Sequence, residues 1–312
     1  MKDRYNREID YLRVSVTQRC NLNCIYCGKS DCGKKQTELS LDEIARLVRA
    51  FALCGIRKVR VTGGEPLVRR DVVQIVERIA ATPGVETVGL TTNGVLLDQY
   101  AAPLADAGLQ SVNISLDSTD GSTYRHLTGA DVLGRVLRGI DEAQKAGLSP
   151  IKLNAVLMKG VNADSAPALV RLAETNPIDV RFIELMPFAD SGDADKLRVT
   201  GDELLRDFSF LQPVESEENG TAVYYGAPGF CGRVGLISPV SHPFCDRCSR
   251  VRLLCDGTVK PCLAFDKTYD LKPYLHDDAA LTAAIGAIIM QKPAGHAFQT
   301  APPQHGLNRT GG

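Results

Sequence analysis

Apolar residues in the first 185 positions repeat one pattern: a short β-branched run, a turn, and then a stretch with helical periodicity. Alternation with a period of two predicts strands, and apolar residues three or four positions apart predict the helices between them. Six such units in succession predict a parallel sheet with right-handed crossovers. The predicted strands span residues 12–17, 58–62, 86–91, 111–116, 151–157 and 180–185.

The stretches between the strands carry helix start and stop signals. Ser40 is placed to cap the first helix, and Glu43 completes a capping box. The run DVLGRVLRGIDEAQKAG has helical periodicity and closes at Gly147. Because six units are too few for a closed eight-fold barrel, we predict an α/β fold with an incomplete (β/α)6 TIM-like barrel. A doubly wound open sheet is the alternative, and periodicity alone does not choose between the two.

The pattern changes after residue 190. Residues 191–210 predict a loop and one helix, and ESEENG at 215–220 predicts an exposed turn. AVYYGAP and RVGLIS predict two short strands that lead into a cysteine-rich segment, and the chain ends in an irregular tail. We therefore divide the chain into a partial barrel, residues 1–215, and a C-terminal domain, residues 216–312.

Composition narrows the class of protein. Hydrophobic residues make up 44% of the chain and charged residues 23%, as in ordinary globular proteins. A net charge of −1 provides no field that would attract nucleic acid or a membrane. No apolar run is suited to export or long enough to span a bilayer, so the ten cysteines, in two tight groups, indicate metal binding in a reducing cytoplasm.

The first cysteine group follows the first predicted strand as Cys20-x3-Cys24-x2-Cys27, in the run CNLNCIYC. Three thiolates packed this closely can bind three irons of a [4Fe-4S] cluster and leave the fourth iron open to a substrate or cofactor. A zinc site that uses Cys32 as its fourth ligand is the alternative. The spacing, with an aromatic residue before the last cysteine, resembles the radical S-adenosylmethionine (SAM) superfamily.

Later strand ends fit that resemblance. GGEP follows the second strand, TTNG follows the third, and SLD ends the fourth. Each segment alone would be an ordinary turn, but small and hydroxyl residues on three successive strands could bind a ribose and a methionine carboxylate. The resemblance implies SAM contacts at Tyr26, Gly63, Gly64, Glu65, Thr92, Asn93, Ser115 and Met186.

The second group consists of Cys245, Cys248 and Cys262. On spacing alone a structural zinc site is an alternative, with His242 or Cys255 as the fourth ligand. The surrounding segment, SHPFCDRCSRVRLLCDGTVKPCL, resembles the C-terminal cluster site of the GTP 3',8-cyclase (molybdenum cofactor biosynthesis protein A) family. The resemblance runs from IDYLRVSVTQRCNLNCIYC through IRKVRVTGGEPLVRRD and RFIELMP to KPAGH and the terminal Gly311-Gly312.

This family resemblance implies a second [4Fe-4S] cluster on the later cysteine group, with its open iron facing a guanine. It leaves Cys54, Cys231 and Cys255 as buried or free thiols. A triphosphate needs several cations, and cationic residues that alternate within apolar strands point into a barrel lumen. The implied GTP contacts are Arg13, Lys58, Arg60, Thr91, Lys152, Arg181, Arg250 and Arg252.

The expected reaction, by the same resemblance, converts GTP to 3',8-cyclo-7,8-dihydro-GTP in the first step of molybdenum cofactor biosynthesis. A 5'-deoxyadenosyl radical from SAM removes hydrogen from C3', and the sugar radical attacks C8 of guanine. No catalytic residue beyond the clusters is identifiable. The partners are GTP and a low-potential electron donor, and the resemblance admits hand-over to the next pathway enzyme and a homodimer.

Two other functions fit part of the sequence. A radical SAM enzyme with an auxiliary cluster that modifies a peptide or another substrate would not require cations on several strands. A two-cluster electron carrier would leave the motifs at the strand ends unexplained.

Overall fold

The computed structural model describes residues 1–28, 38–189, 191–215, 220–307 and 310. Its centre is a run of six parallel strands that lie side by side in the order of the chain. In a doubly wound sheet the strand order reverses at a switch point. The uninterrupted order therefore confirms the incomplete barrel. The strands are β1 (Tyr11–Ser15), β2 (Lys58–Thr62), β3 (Thr87–Thr92), β4 (Ser111–Ser115), β5 (Ile151–Leu157) and β6 (Asp179–Glu184).

Segments from the last third of the chain extend this sheet at both edges. Six further strands are β7 (Gln212–Pro213), β8 (Val223–Gly226), β9 (Val234–Ile237), β10 (Arg250–Leu253), β11 (Thr258–Lys260) and β12 (Tyr269–Asp270). β10 pairs in parallel with β1 and β9 with β6, so the barrel wall has eight parallel strands, and antiparallel strands follow on each side. Across the described ranges, no strand pairing joins β12 to β7, so the sheet stays open. The domain boundary at residue 215 stays a prediction.

Helices pack on the outside of the sheet. They are α1 (Leu41–Leu53), α2 (Val72–Ala80), α3 (Leu97–Asp106), α4 (Gly121–Thr128), α5 (Leu133–Lys145), α6 (Ala166–Thr175), α7 (Ala194–Leu197), α8 (Gly201–Asp207) and α9 (Asp278–Ile289). The predicted capping box at the start of α1 is present: Glu43 Oε2 accepts from the Ser40 backbone N–H at 2.7 Å. Gly147, just past α5, has the left-handed φ of 75° that such a helix end requires.

Two parts of the fold differ from the sequence-based expectation. Residues 191–210 form two short helices, α7 and α8, instead of one, because Thr200 and Glu203 make a second capping box that starts a new helix. Helix α9 was not predicted from the sequence, because it is apolar on nearly all sides and so gives little periodic signal. No described helix is long and apolar enough to cross a membrane.

The two faces of each parallel strand differ in chemistry. Alternate residues, such as Val59 and Val61 of β2, are buried in the apolar core that the helices cover. The intervening residues, such as Arg60, occupy the opposite face, which lines the barrel lumen. The fold therefore presents polar side chains from several strands to one interior space.

Candidate active site

Cationic side chains from five strands face this lumen. Strand register places Arg13 of β1 between Arg60 of β2 and Arg252 of β10. On the far side, Arg181 of β6 lies next to Asn154 of β5, and its Nε donates to Asn154 Oδ1 at 2.9 Å. Lys152 on β5 and Arg250 at the start of β10 also lie on the lumen face.

The lumen is strongly electropositive. Burial lowers the pKa of Arg13 to about 10, with further lowering from Arg60 and Arg250, and burial lowers the pKa of Arg252 well below its usual value. Arg60 donates to the Tyr11 hydroxyl at 2.5 Å and to the Leu90 carbonyl at 2.9 Å. Burial raises the pKa of Tyr11, but Arg60 and Arg13 outweigh it and lower that pKa overall. Charge of one sign collected in a low-dielectric cavity attracts an anion.

Lys58 is the outlying member of the predicted cationic set. It begins β2, its side chain is exposed, and its Nζ lies 3.4 Å from Asp10 Oδ2. It therefore lies at the solvent-facing N-terminal end of the lumen strands, apart from the buried arginines.

Two glycines make room for lumen arginines. A Cβ on Gly89 would lie 2.7 Å from Arg60 Nη2, and a Cβ on Gly235 would lie 2.9 Å from Arg181 Cγ. Both distances are shorter than real Cβ contacts, so any larger residue would displace the guanidinium side chain.

Two neighbouring polar side chains on β3 and β4 have buried oxygen atoms on the lumen face. Thr91 pairs in register with Asn113, and among the described residues neither Thr91 Oγ1 nor Asn113 Oδ1 has a hydrogen-bond partner. Thr91 was predicted as a GTP contact, whereas Asn113 was not. Buried polar atoms normally find a partner, so this pair is suited to a bound ligand.

The first cysteine triad lies in the loop after β1. Cys20 Sγ accepts from the Leu22 backbone N–H at 3.5 Å and from Asn93 Nδ2 at 3.9 Å. Burial raises the pKa of Cys24, and the Asp117 carboxylate and the thiolates of Cys27 and Cys20 raise it further. A bound metal cation would offset the negative charge that disfavours ionisation of Cys24, so this half-buried triad is suited to metal binding.

A hydrogen-bond network joins this loop to the ends of β4 and β5. The Tyr26 hydroxyl donates to Asp117 Oδ2 at 2.6 Å, and the Val156 backbone N–H donates to Asp117 Oδ1 at 2.8 Å. Asn162 Nδ2 donates to the Asp117 carbonyl at 3.0 Å. Burial raises the pKa of Asp117 to about 6. Asp117 was not among the predicted site residues, although SLD was singled out as a strand-end motif.

The GGEP segment packs directly on the triad loop. A Cβ on Gly63 would lie 2.6 Å from the Thr17 carbonyl, and a Cβ on Gly64 would collide with the Arg19 carbonyl. Only glycine allows so close an approach of the two backbones. The segment is therefore held against the loop that carries the three cysteines.

Glu65 faces the end of β3. Its Oε1 accepts from the Thr92 hydroxyl at 2.7 Å and from the Leu67 N–H, and its Oε2 accepts from the Asn93 N–H at 2.6 Å. Burial raises the pKa of Glu65 to about 7. Both oxygens are thus engaged by the chain itself, so Glu65 orients Thr92 and Asn93.

Two further predicted SAM contacts lie near the same end of the barrel. Ser115 ends β4 beside Asn154, and Met186 follows β6 and packs on the apolar cluster of Phe188, Phe298 and Leu307. Cys27 packs on the same cluster, which brings Met186 close to the first triad.

The second triad is attached to the barrel through β10 and β11. Arg250 Nη2 donates to Cys248 Sγ at 3.7 Å. Burial raises the pKa of Cys248, but Arg250 and Lys292 outweigh burial and bring it to about 6. Cys245 and Cys248 precede β10 and Cys262 follows the antiparallel β11, so this triad joins the β1–β10 pair at the end opposite to the first triad.

The cysteines outside the two triads, and the His242 alternative for a zinc site, differ in exposure. Cys255 is buried and its pKa is raised to about 12 by burial, Cys54 is half-buried, and Cys231 is exposed. His242 is exposed, and its Nε2 lies 3.1 Å from Asp202 Oδ2. Cys32 and the Gly311-Gly312 end lie outside the described residues.

Across the described ranges, no three His, Cys, Asp or Glu side chains are grouped closely enough to hold a single metal ion. A [4Fe-4S] cluster has a different requirement, since each cysteine binds a separate iron.

Similarity to known proteins extends over the whole chain. Residues 14–173 match the family described as Radical SAM superfamily, and residues 178–298 match Molybdenum Cofactor Synthesis C. The GTP 3',8-cyclase of Alkaliphilus oremlandii is 42% identical over 320 residues, with 100% of both chains covered. The chain belongs to the GTP 3',8-cyclase family. GTP 3',8-cyclase 1 of Pseudomonas aeruginosa is 43% identical over 314 residues, covering 96% of this chain and 94% of the relative.

Solved structures share the fold of this GTP 3',8-cyclase family member at low sequence identity. Streptococcus suis SuiB bound to S-adenosylmethionine aligns with a TM-score of 0.62 at 15% identity, covering 93% of this chain and 73% of SuiB. Methylornithine synthase aligns with a TM-score of 0.52 at 17% identity, covering 65% of this chain and 62% of that enzyme. These similarities support the radical SAM barrel as the fold.

Proposed function

We propose that this chain is a GTP 3',8-cyclase that uses SAM to make 3',8-cyclo-7,8-dihydro-GTP. The observation that carries the proposal is the lumen itself, in which Arg13, Arg60 and Arg252 line adjacent strands between two cysteine triads. A nucleoside triphosphate is the class of anion that such a set of cations fits. The curated relatives at about 40% identity over the full length carry the same activity in their names.

The first triad, Cys20, Cys24 and Cys27, would hold a [4Fe-4S] cluster. The residues present fit the group, since the three thiols are half-buried and Cys20 Sγ already accepts N–H donors of the kind that stabilise a ligating thiolate. The chemistry that the reduced cluster and SAM supply when bound is the formation of a 5'-deoxyadenosyl radical.

The SAM site is proposed around this triad. Gly63 and Gly64 hold the backbone after β2 against the cysteine loop, and Glu65 orients Thr92 and Asn93. Tyr26 is fixed by Asp117. The proposed SAM contacts are Tyr26, Gly63, Gly64, Thr92, Asn93, Ser115 and Met186, with Glu65 acting through its neighbours.

The second triad, Cys245, Cys248 and Cys262, would hold a second [4Fe-4S] cluster. It fits for the same reason, since its thiols are half-buried and Arg250 donates to Cys248 Sγ. The chain's own part in the reaction is to bind the triphosphate, hold the ribose toward the first triad and exclude water. The proposed GTP contacts are Arg13, Lys58, Arg60, Thr91, Lys152, Arg181, Arg250 and Arg252.

The electron donor, the cellular location and the protein partners stay predictions. A low-potential one-electron donor is proposed because SAM cleavage consumes an electron. A cytoplasmic location is proposed because six ligating thiols must stay reduced. Hand-over of the product and a homodimer are proposed from the family resemblance alone.

A turnover assay tests the function. Anaerobically reconstituted chain with SAM, reductant and GTP deuterated at C3' is expected to give 5'-deoxyadenosine that carries the deuterium, together with a cyclised nucleotide. ATP in place of GTP is the matched control. Absence of deuterium transfer, or equal transfer from ATP, would overturn the proposal and favour a radical SAM enzyme acting on another substrate.

A further inference from the structure

Arg7 connects the N-terminal segment to the second cysteine triad. It precedes β1, is buried, and was not a predicted site residue. Its Nη1 donates to the Cys245 carbonyl at 2.7 Å and to the Ala294 carbonyl at 2.9 Å, and its Nη2 donates to the Pro293 carbonyl at 2.7 Å. Its Nε donates to the buried carboxylate of Asp3 at 2.7 Å. One guanidinium therefore fixes the backbone of a triad cysteine and of a second, distant segment.

Lys292 performs the same task for the other two cysteines. It is buried, and its Nζ donates to the Arg250 carbonyl at 2.7 Å and to the Pro261 carbonyl at 2.8 Å. These carbonyls lie two residues after Cys248 and one residue before Cys262. The three cysteines of the triad lie on two separate chain segments, and Lys292 bridges both of them.

The segment that contains Lys292 also lies beside Cys245, the third cysteine of the triad. A Cβ on Gly295 would lie 3.8 Å from Cys245 Sγ, so this backbone passes directly beside the thiol. His296 Nε2 lies 2.6 Å from the Pro239 carbonyl, which anchors the loop leading to the triad. Arg7 binds the carbonyls of Pro293 and Ala294, which lie between Lys292 and Gly295 in this run.

The charge balance of Lys292 points to the triad as its counter-charge. Among the described residues its ammonium pairs with no carboxylate. A buried ammonium is costly unless an anion lies nearby. Burial lowers the pKa of Lys292, and the nearby Cys248 and Cys262 partly offset that lowering. A [4Fe-4S] cluster bound by three thiolates retains negative charge, so it would also act as a counter-charge to the Lys292 ammonium.

We propose that Arg7 and Lys292 are positioning residues for the second triad. Together they hold the segments carrying its three cysteines in the arrangement that binds a cluster, and Lys292 places an ammonium group beside it. The inference rests on the proposed assignment of a [4Fe-4S] cluster to this triad. Through Arg7, binding of the second cluster depends on the first ten residues of the chain. Through Lys292, it depends on the segment after α9.

The test compares Arg7→Gln and Lys292→Met with matched controls in the full-length, anaerobically reconstituted chain. Arg4→Gln removes an exposed arginine of the same segment, whose Nε donates to the Met290 carbonyl at 2.9 Å. Lys272→Met removes an exposed lysine that, like Lys292, is followed by a proline. The readouts are iron per chain, the electron paramagnetic resonance (EPR) signals of the two reduced clusters, and their reduction potentials.

Wild type and both controls are expected to hold about eight irons. Arg7→Gln and Lys292→Met are expected to fall toward about four, with the loss confined to the second cluster's signal. Any second cluster that remains should have a lower reduction potential, because a nearby cation that stabilises the reduced form is gone. If Arg7→Gln loses helical circular dichroism, Arg7→Lys replaces it and is expected to show the same selective change to a smaller degree.

Wild-type iron, signals and potentials in Lys292→Met and in both Arg7 variants would overturn the inference. Failure of the underlying cluster assignment has a different result. In that case wild type itself would hold about four irons, and Cys245→Ser would leave its iron content unchanged.

Discussion

The Tyr26 hydroxyl donates a 2.6 Å hydrogen bond to Asp117 Oδ2 and so joins the first cysteine loop to the end of β4. Asp117 is buried and Tyr26 is half-buried, and Asp117 also accepts from the Val156 N–H. The aromatic residue between Cys24 and Cys27 is therefore oriented by a carboxylate distant in the sequence. This contact fixes the loop before any cofactor binds.

Tyr26→Phe is expected to destabilise the chain, because it leaves the buried Asp117 carboxylate without one donor. The expected cost in unfolding free energy is about 1–3 kcal/mol. Tyr124→Phe is the matched control, since the Tyr124 hydroxyl is buried and has no hydrogen-bond partner among the described residues. Urea denaturation should show a loss for the first variant and none for the second. Equal effects would show that the Tyr26 hydroxyl contributes nothing specific.

Gly89→Ala is expected to weaken GTP binding without unfolding the barrel. The added Cβ would lie 2.7 Å from Arg60 Nη2 and 2.8 Å from Ser111 Oγ, so Arg60 must leave its contacts with Tyr11 and Leu90. We expect the KM for GTP to rise about tenfold, which corresponds to a loss of about 1.4 kcal/mol in binding free energy.

The control for this substitution is Gly121→Ala, where an added Cβ meets nothing within 4 Å. Its KM for GTP should equal that of wild type. An unchanged KM in Gly89→Ala would show that the position of Arg60 does not affect GTP binding.

Arg252→Ala is expected to impair GTP binding while SAM cleavage without GTP survives. Arg252 lies beside Arg13 on the lumen face of β10, and hydrogen bonds to charged groups contribute about 1.5–3 kcal/mol each. We therefore expect the Kd for GTP to rise by roughly ten- to a hundredfold. The control is Arg247→Ala, which removes an exposed arginine between Cys245 and Cys248 and should leave GTP binding normal. Parallel loss of SAM cleavage in Arg252→Ala would point to a structural effect instead.

Glu65 makes stability depend on pH in a defined direction. Burial raises its pKa from 4.5 to about 7, so the folded chain holds this proton more tightly than the unfolded chain. The resulting stabilisation is complete below pH 4.5 and is lost as the pH rises through about 7. At about 1.4 kcal/mol per pKa unit, the full loss is roughly 3 kcal/mol.

Glu65→Gln supplies the reference, because glutamine does not titrate. The advantage of wild type over this variant in thermal denaturation should shrink between pH 5.5 and 7.5 and then level off. A difference that stays constant over this range would contradict the raised pKa.

The sequence by itself determined the features that depend on local spacing. The strand–helix repeat predicted the six central strands, Ser40 and Glu43 predicted the start of α1, and the three close cysteines after β1 identified the superfamily. Each of these signals lies within a few residues, where periodicity, capping and ligand spacing follow directly from backbone geometry.

Only the tertiary structure decided how distant segments share one site. β9 and β10 extend the parallel wall by pairing with β6 and β1, and no local pattern announces which strand a short segment will join. Arg7 and Asp117 were missed for the same reason, since their partners lie far along the chain. A buried polar group must find a partner somewhere, but which group it finds depends on packing that only the folded chain defines.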